Sequence, residues 1–466
     1  MLITNHELRV LILTPDFCLL QKKMSKRRRN KIPREPVETT IDALSHEGRG
    51  IARVEGKAVF VDGALPGEKV LFRYTRKRGS YAEGYAVEIL KPSAKRVIPM
   101  CPHYGICGGC SLQHMQFQEQ LQHKQNVLLE QLKQIGTVVP EGVLSPIHSQ
   151  QWGYRRKARL GVKYVLKKGK LLVGFREKRS NYLADLQSCL VLHPDIGMRL
   201  TEIQALISSL DIYDQIPQIE AAVGENTTAL IFRHLLQITG GDKERLRQFQ
   251  NQTGIAIFLQ SGGPETVIPL NEESNTGLSY RLEKYECIIN FRPDEFTQVN
   301  FEINKLMIDQ VMLLLEPGPG DNVLDLFCGL GNFSLPLARY SKKVTGIELS
   351  DSLVGRARIN AARNKMKNAE FYAMDLMQDD LEAAFFYSDY QKILIDPPRN
   401  GAREVIIRLN LDKVRKLVYV SCNPATLARD AGILVKEKGM KLKKAGIMDM
   451  FPHTSHVESI ALFERE

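Results

Sequence analysis

Along residues 300–466 the apolar positions recur with two periods. Short, nearly continuous apolar stretches fall at Val323–Phe327, Lys343–Glu348, Glu370–Met374, Lys392–Ile395, Leu417–Ser421, Leu442–Met448 and Ser459–Phe463, each the length of a buried strand. Between most of them the apolar residues are spaced three and four apart, as in Leu353–Asn364 and Ala425–Lys438, which predicts helices. Strands alternating with helices predict an α/β fold with a mainly parallel, doubly wound, Rossmann-like sheet. No helical pattern separates the last two strands, so an antiparallel terminal hairpin is expected there.

Upstream the pattern changes. Gly48–Val54, Ala58–Val61 and Gly67–Tyr74 read as short strands, and Asp62-Gly63 and Pro66-Gly67 are turn dipeptides. About five strands in so short a span predict a small OB-like β-barrel. Four regions result: a basic arm at 1–35, the barrel at 36–93, a mixed α+β region at 94–295 and the α/β domain at 296–466. In the arm, Pro15 and Asp16 interrupt the apolar run Leu8–Leu20. Met24 opens Met24-Ser25-Lys26-Arg27-Arg28-Arg29, so either translation starts there or a loosely packed arm precedes the barrel.

The chain has 466 residues, 43% of them hydrophobic, a formal net charge of +11 and a pI near 9.1. No stretch reaches the roughly 18–20 apolar residues that span a bilayer, and no secretory signal is recognisable. The cytoplasm is therefore the expected compartment, with no membrane partner. A basic balance favours a polyanion, because Lys and Arg gain affinity by releasing phosphate counterions. The charge is also concentrated. Between Arg155 and Arg179 eleven Lys or Arg face one acid, Glu177. Leu160, Val162 and Tyr164 alternate, as do Leu171, Val173 and Phe175, around Lys168-Gly169, which predicts a β-hairpin with one packed and one basic face. In the barrel, Arg76, Lys77 and Arg78 lie near Tyr81 and Tyr85, the residue types with which OB-like barrels hold nucleic acid. RNA is the expected partner of both.

Asp325-Leu326-Phe327-Cys328-Gly329-Leu330-Gly331-Asn332-Phe333 follows an apolar strand and opens a helix. Glycines let such a loop turn sharply and approach a ligand. Glu348 ends the next strand, where an acid can accept ribose hydroxyls; Asp375 ends the third, and Asp396-Pro397-Pro398 follows the fourth. Acids at successive strand ends line the crevice where doubly wound folds bind ligands. NAD competes as ligand, but the missing third glycine and the Asp-Pro-Pro favour S-adenosylmethionine. Each acid taken alone reads equally well as a turn residue.

Tyr419-Val420-Ser421-Cys422-Asn423-Pro424 puts a cysteine just past the fifth strand, before a helix whose dipole is expected to lower the thiol pKa. A thiolate suits one reaction well. Carbon 5 of uracil is too weak a nucleophile for a methyl sulfonium until a thiolate adds at carbon 6; a base must then remove the carbon-5 proton. Phe451-Pro452-His453-Thr454-Ser455-His456-Val457-Glu458 offers Glu458 as that base, with His453 second. Gln298, in Phe296-Thr297-Gln298-Val299-Asn300, can present donor and acceptor to a uracil edge or to the cofactor, or simply be a surface or capping residue.

The eight cysteines are Cys18, Cys101, Cys107, Cys110, Cys189, Cys287, Cys328 and Cys422. Cys101, Cys107 and Cys110 are spaced Cys-x5-Cys-x2-Cys around Gly108-Gly109, and Cys189 is a plausible fourth ligand. Four thiolates suit zinc or an iron–sulfur cluster, and three local cysteines plus a distant one favour [4Fe-4S].

Asp325–Phe333, Asp396-Pro397-Pro398-Arg399, Ser421-Cys422-Asn423-Pro424 and His453–Glu458 together resemble the RNA uracil-5 methyltransferases. The cysteine set narrows the resemblance to the ribosomal RNA branch, and the barrel at 36–93 resembles a TRAM domain; the likeness covers nearly all the chain after Met24. It implies S-adenosylmethionine-dependent methylation of carbon 5 of a specific uridine in 23S ribosomal RNA, with Cys422 as nucleophile and Glu458 as base. It implies cofactor contacts from Gln298, Phe327, Asn332, Glu348, Asp375 and Asp396. It further implies a [4Fe-4S] cluster on Cys101, Cys107, Cys110 and Cys189, making 94–295 an iron–sulfur domain. A monomer is expected. The main competing reading is a non-enzymatic RNA-binding protein with a vestigial methyltransferase domain; the intact Cys422 and Glu458 argue against it. A cytosine-5 methyltransferase would carry Pro-Cys where Asp396-Pro397-Pro398 stands. An amine methyltransferase would carry Asn-Pro-Pro-aromatic, and a radical enzyme Cys-x3-Cys-x2-Cys.

Overall fold

The computed structural model describes residues 32–33, 35–271, 277–378 and 389–465. Nearly all of the expected arm, with Met24 and Cys18, lies outside the described residues.

Strands β1 (Val37–Thr40), β2 (Ala43–Leu44), β3 (Gly50–Val54), β4 (Lys57–Asp62), β5 (Lys69–Lys77) and β6 (Tyr81–Lys91) form one sheet in the order β1-β5-β6-β4-β3-β2. Only β4 and β6 run parallel. Alternate residues, among them Ile41, Val59, Val61, Val70, Phe72 and Ala82, are buried inside it. The carboxylate of Glu68 closes the barrel onto the following chain, accepting from the backbone of Leu65 at 2.8 Å and Ser93 at 3.1 Å and from Arg96.

Helix α1 (Phe117–Gln131) and the short strand β7 (Gly142–Val143) come next. The chain then builds a second sheet from β8 (Lys157–Val165), β9 (Lys170–Gly174), β10 (Gln218–Val223), β11 (Thr228–Arg233), β12 (Ala256–Gln260) and β13 (Ile268–Pro269), ordered β13-β12-β11-β10-β8-β9. Helices α2 (Pro194–Gly197), α3 (Leu200–Ser209) and α4 (Gly240–Thr253) belong to this region. The hairpin expected around Lys168-Gly169 is β8–β9, turning at Gly169 with φ 58°.

A second hairpin, β14 (Leu278–Leu282) and β15 (Cys287–Phe291), and helix α5 (Phe301–Leu315) lead into the α/β region. There β16 (Asn322–Leu326), α6 (Ser334–Tyr340), β17 (Lys343–Glu348), α7 (Asp351–Arg363), β18 (Ala369–Ala373), β19 (Lys392–Ile395), α8 (Arg403–Arg408), β20 (Lys416–Ser421), α9 (Pro424–Lys436), β21 (Lys441–Met448) and β22 (Glu458–Glu464) follow in turn. The sheet order is β18-β17-β16-β19-β20-β22-β21-β7, parallel from β18 to β20 and closed by the expected antiparallel pair. The strand bounds agree with the apolar stretches to within a residue at their ends. Two clusters cover its faces: Phe301, Ile308 and Leu335 with Val323 and Val418 on one, and Leu121, Leu128 and Leu427 with Leu324 and Leu417 on the other. So α1 packs on this sheet, and β7 joins its edge parallel to β21. No helix among the described residues is long and apolar enough to cross a membrane.

Lys124 of α1 is wholly buried with Asp449 at 2.5 Å, just past β21, and its ammonium also donates to the Phe451 carbonyl at 3.1 Å. Two buried charges hold only as a pair, so removing one strands the other. Lys124→Met is expected to destabilise the fold by roughly 3–5 kcal/mol in urea titrations. Lys124→Met with Asp449→Leu should recover most of it; no difference between single and double variants would contradict this account.

Candidate active site

The crevice begins where β16 ends. The chain turns at once: Phe327 has φ 65°, Gly329 54° and Gly331 92°. Glycine meets this without strain, whereas Phe327 costs roughly 1–2 kcal/mol there, a strain typical of functional loops. A Cβ on Gly331 would come within 2.9 Å of Leu335 Cδ1. Glu348, closing β17, accepts from Gly329 N–H on one oxygen and Ser350 N–H on the other, both at 3.1 Å, which ties the glycine loop to the second strand end. Asp375, just past β18, accepts from Met377 N–H at 2.9 Å. Asp396 follows β19, and its N–H donates to Leu326 O at 3.2 Å.

Two more residues behave less simply. The Asn332 amide is occupied by Tyr280 at 2.7 Å and by a reciprocal pair with Asn304 at 2.9 and 3.0 Å, so its side chain braces the loop. Gln298 is half-buried beside Asn300, which caps α5, and Val299, whose carbonyl accepts from Arg156 N–H at 2.8 Å.

Asp325 supplies the fit test for a cationic cofactor. It is fully buried; one oxygen accepts from the Ser334 hydroxyl and Oδ1 has no partner among the described residues. Burial pushes Asp325 and Asp396 up to about 7. A crevice floored by buried acids suits a ligand carrying a sulfonium and an ammonium, which would repay their desolvation.

Cys422 sits between β20 and α9. The antiparallel β20–β22 ladder ends with Ser421 opposite Ser459, so the next step sets Cys422 across from Glu458. Burial, then the charges of Glu458 and Asp396, push the Cys422 thiol up to about 11, against a lowering effect of Arg399. This corrects the expectation that the helix dipole lowers it. Asn423 caps α9 with its own side chain, accepting from Ala425 N–H at 3.1 Å, and burial first, with the two carboxylates after it, raises the thiol. Glu458 is buried and pushed up to about 8, by burial first and Asp396 second, which suits a base near neutrality.

His453, the second candidate base, is committed elsewhere. Its ring stacks on Trp152 at 4.1 Å, and burial pushes it down to about 4. Sequence reasoning missed Asp430 of α9, a buried carboxylate accepting from Tyr419 at 2.7 Å and from Ala402 N–H at 2.8 Å. With Asn423 donating to Arg399 O at 3.0 Å, it fixes the loop after Asp396 against α9.

Cys101, Cys107, Cys110 and Cys189 line one small, mostly apolar pocket with Tyr104, Phe175 and Leu186. Burial raises Cys107 to about 11 and Cys110 to about 12, and each is also raised by its neighbouring cysteines. Among the described residues no three His, Cys, Asp or Glu form a group that could hold a metal ion.

The basic hairpin is less free than its composition suggested. Arg155 lies over Phe175, Arg156 over Phe301 and Arg179 over Tyr85, while Arg159, Lys170 and Lys178 pair with Glu220, Asp185 and Asp62. Lys163, Lys167, Lys168 and Arg176 remain on an outer groove of about 910 Å³ with Tyr182.

Residues 116–466 match the tRNA (Uracil-5-)-methyltransferase family and residues 33–87 the TRAM domain. The chain belongs to the uracil-5 RNA methyltransferase family. It is 50% identical over 440 residues to the 23S rRNA (uracil(1939)-C(5))-methyltransferase RlmD of Alkalilimnicola ehrlichii, covering 94% of this chain and 99% of that one. It is 49% identical over 438 residues to the protein of that name from Methylococcus capsulatus, with coverage of 94% and 99%. The Pyrococcus abyssi tRNA (uracil-54, C5)-methyltransferase, solved with S-adenosyl-L-homocysteine, shares the fold at a TM-score of 0.69 and 23% identity, covering 92% of this chain and 100% of that one. The chain thus combines an S-adenosylmethionine-dependent methyltransferase of Rossmann-like fold with an N-terminal TRAM domain.

Burial holds the Glu458 proton to about 8, against an ordinary 4.5. The stability this carboxyl contributes is full below the unfolded value and is lost as pH rises through the folded one. Glu458→Gln, which cannot ionise, is expected to gain on wild type in melts between pH 4.5 and about pH 8, by up to about 1.4 kcal/mol per pH unit, and to level off above. A constant offset between the two curves would contradict the buried, raised carboxyl.

Proposed function

We propose that this methyltransferase places a methyl group on carbon 5 of a uridine in 23S ribosomal RNA, a step in ribosomal RNA processing, at the position named for its relatives, uracil 1939. The observation that supports the chemistry is the β20–β22 ladder, whose last pair, Ser421 with Ser459, leaves Cys422 and Glu458 as the adjoining residues of the two chains, near enough for the charge of Glu458 to act on the thiol. S-adenosylmethionine supplies the methyl as a sulfonium. Gln298, Phe327, Asn332, Glu348, Asp375 and Asp396 are the residues assigned to hold it, Asn332 through its backbone.

Cys422 adds as thiolate to carbon 6 of the uracil, and the electron pair of the 5,6 double bond moves to carbon 5, stabilised as an enolate by the neighbouring carbonyl. Carbon 5 takes the methyl, leaving a neutral thioether. Glu458 then removes the carbon-5 proton, the double bond re-forms, and the carbon–sulfur bond to Cys422 breaks. Reaching both ring carbons requires the base to be flipped out of its stack. Glu458 enters the cycle ionised, so the rate should rise with pH through its pKa.

Cys101, Cys107, Cys110 and Cys189 are assigned to a [4Fe-4S] cluster. The reading rests on the four cysteines lining one small pocket and on their spacing, three local and one distant, which favours a cluster over a single zinc ion. The cluster would supply a covalent staple. The barrel at 36–93 and the outer groove of the 94–295 region are the assigned RNA-binding surfaces, and 296–466 the catalytic one.

RNA carrying 5-fluorouridine has no carbon-5 proton to lose. Wild type with S-adenosylmethionine is expected to form with it an adduct that survives denaturing electrophoresis, and Cys422→Ala none; an adduct in the variant would overturn the nucleophile. Replacing Lys163, Lys167 and Lys168 by Gln should reduce the slope of log affinity against log salt by roughly 2–3. An unchanged slope would remove the groove from the RNA-binding surface.

A further inference from the structure

The nine residues between β21 and β22 carry Glu458 at their far end, and other parts of the chain grip them along their length. The N–H groups of Ser111 and Leu112 both donate to the carbonyl of His453, each at 2.9 Å. Ser455 N–H donates to the Ser111 hydroxyl at 3.0 Å, His453 N–H donates to the Gln120 amide oxygen at 3.0 Å, and Tyr154 donates to the Pro452 carbonyl at 3.1 Å. His453 itself stands at φ 66°, a left-handed conformation that a histidine keeps only when its surroundings hold it. Its doubly bonded carbonyl and the Trp152 stack provide that hold. Ser111 and Leu112 directly follow Cys110, so the turn that grips the loop is continuous with the cysteine pocket.

The geometry matters because Glu458 is the first residue of β22. A slip of one residue there would turn its side chain to the opposite face of the sheet and away from Cys422. Resting on the reading of Glu458 as the base, we propose that the Cys110-Ser111-Leu112 turn is a positioning element for proton abstraction. It fixes the bend at His453 so that Glu458 meets the carbon-5 proton, and the cysteine pocket thereby acts on the chemical step as well as on the fold. Ser111 touches no reacting atom in this account; it acts through the loop.

A merely structural turn and a positioning turn differ in which step slows. With the base displaced, Cys422 still adds and the methyl still transfers, but the methylated RNA stays bound to the thiol. The holoenzyme would be mixed with 23S RNA and S-adenosylmethionine, quenched in denaturant at successive times, and the covalent RNA–protein band followed for wild type, Ser111→Ala, Ser111→Thr, Gln120→Ala and Glu458→Gln. Glu458→Gln is expected to accumulate the band. Ser111→Ala should release it roughly tenfold more slowly than wild type, with S-adenosylmethionine and RNA affinities within about twofold. Ser111→Thr, which keeps the hydroxyl, should behave as wild type. Should Ser111→Ala not fold, Gln120→Ala loosens the same bend from the other side and is expected to give the same slow release. Wild-type release in both loosened variants, beside accumulation in Glu458→Gln, would overturn the positioning role and leave the base standing. Absence of accumulation in Glu458→Gln would overturn the base, and the positioning role with it.

Discussion

Cys422 and Glu458 come from separate strands, yet one antiparallel ladder decides their meeting. β20 arrives parallel to the four strands before it, β22 returns against it, and their register runs out at Ser421 opposite Ser459. The thiol and the carboxyl are thus presented at one end of the sheet, where Asp396 also emerges. Buried polar contacts hold the segments that carry this pair. The Asp430 carboxylate ties the Asp396 loop to α9, and Lys124 with Gln120 ties the loop before Glu458 to α1.

Burial of the acids has an electrostatic consequence. Asp325, Asp396 and Glu458 all lie near neutral pKa because burial penalises their charge, and Asp396 adds repulsion at Glu458. Acids so close together titrate as a set. A cationic ligand beside them would favour their ionised forms.

The α/β half was legible in the sequence because its strands are continuously apolar and its acids fall at their ends. The terminal hairpin was legible from the missing helix, and Cys422 and Glu458, singled out by residue type and place in the pattern, fall at one end of the same ladder. What pairs with what across long separations was not legible. Nothing in the pattern near 117–143 says that α1 packs on the catalytic sheet or that β7 joins its edge, since a short strand has too few residues to show a period. The raised thiol pKa was hidden for a related reason: a helix start reads locally, whereas the burial of Cys422 and, after it, the charges of Glu458 and Asp396 come from the tertiary fold. Charge counting overstated the basic hairpin, because most of its cations fold back onto acids and rings distant in sequence.

The most direct test of the account follows the proton itself. 23S ribosomal RNA carrying tritium at carbon 5 of uracil would be incubated with S-adenosylmethionine and enzyme, and tritium released to water counted. Release by wild type in step with methyl incorporation, and none by Cys422→Ala, is the predicted result. Methyl incorporation without tritium release would mean that carbon 5 is not the acceptor, and the Cys422–Glu458 pair would need another explanation.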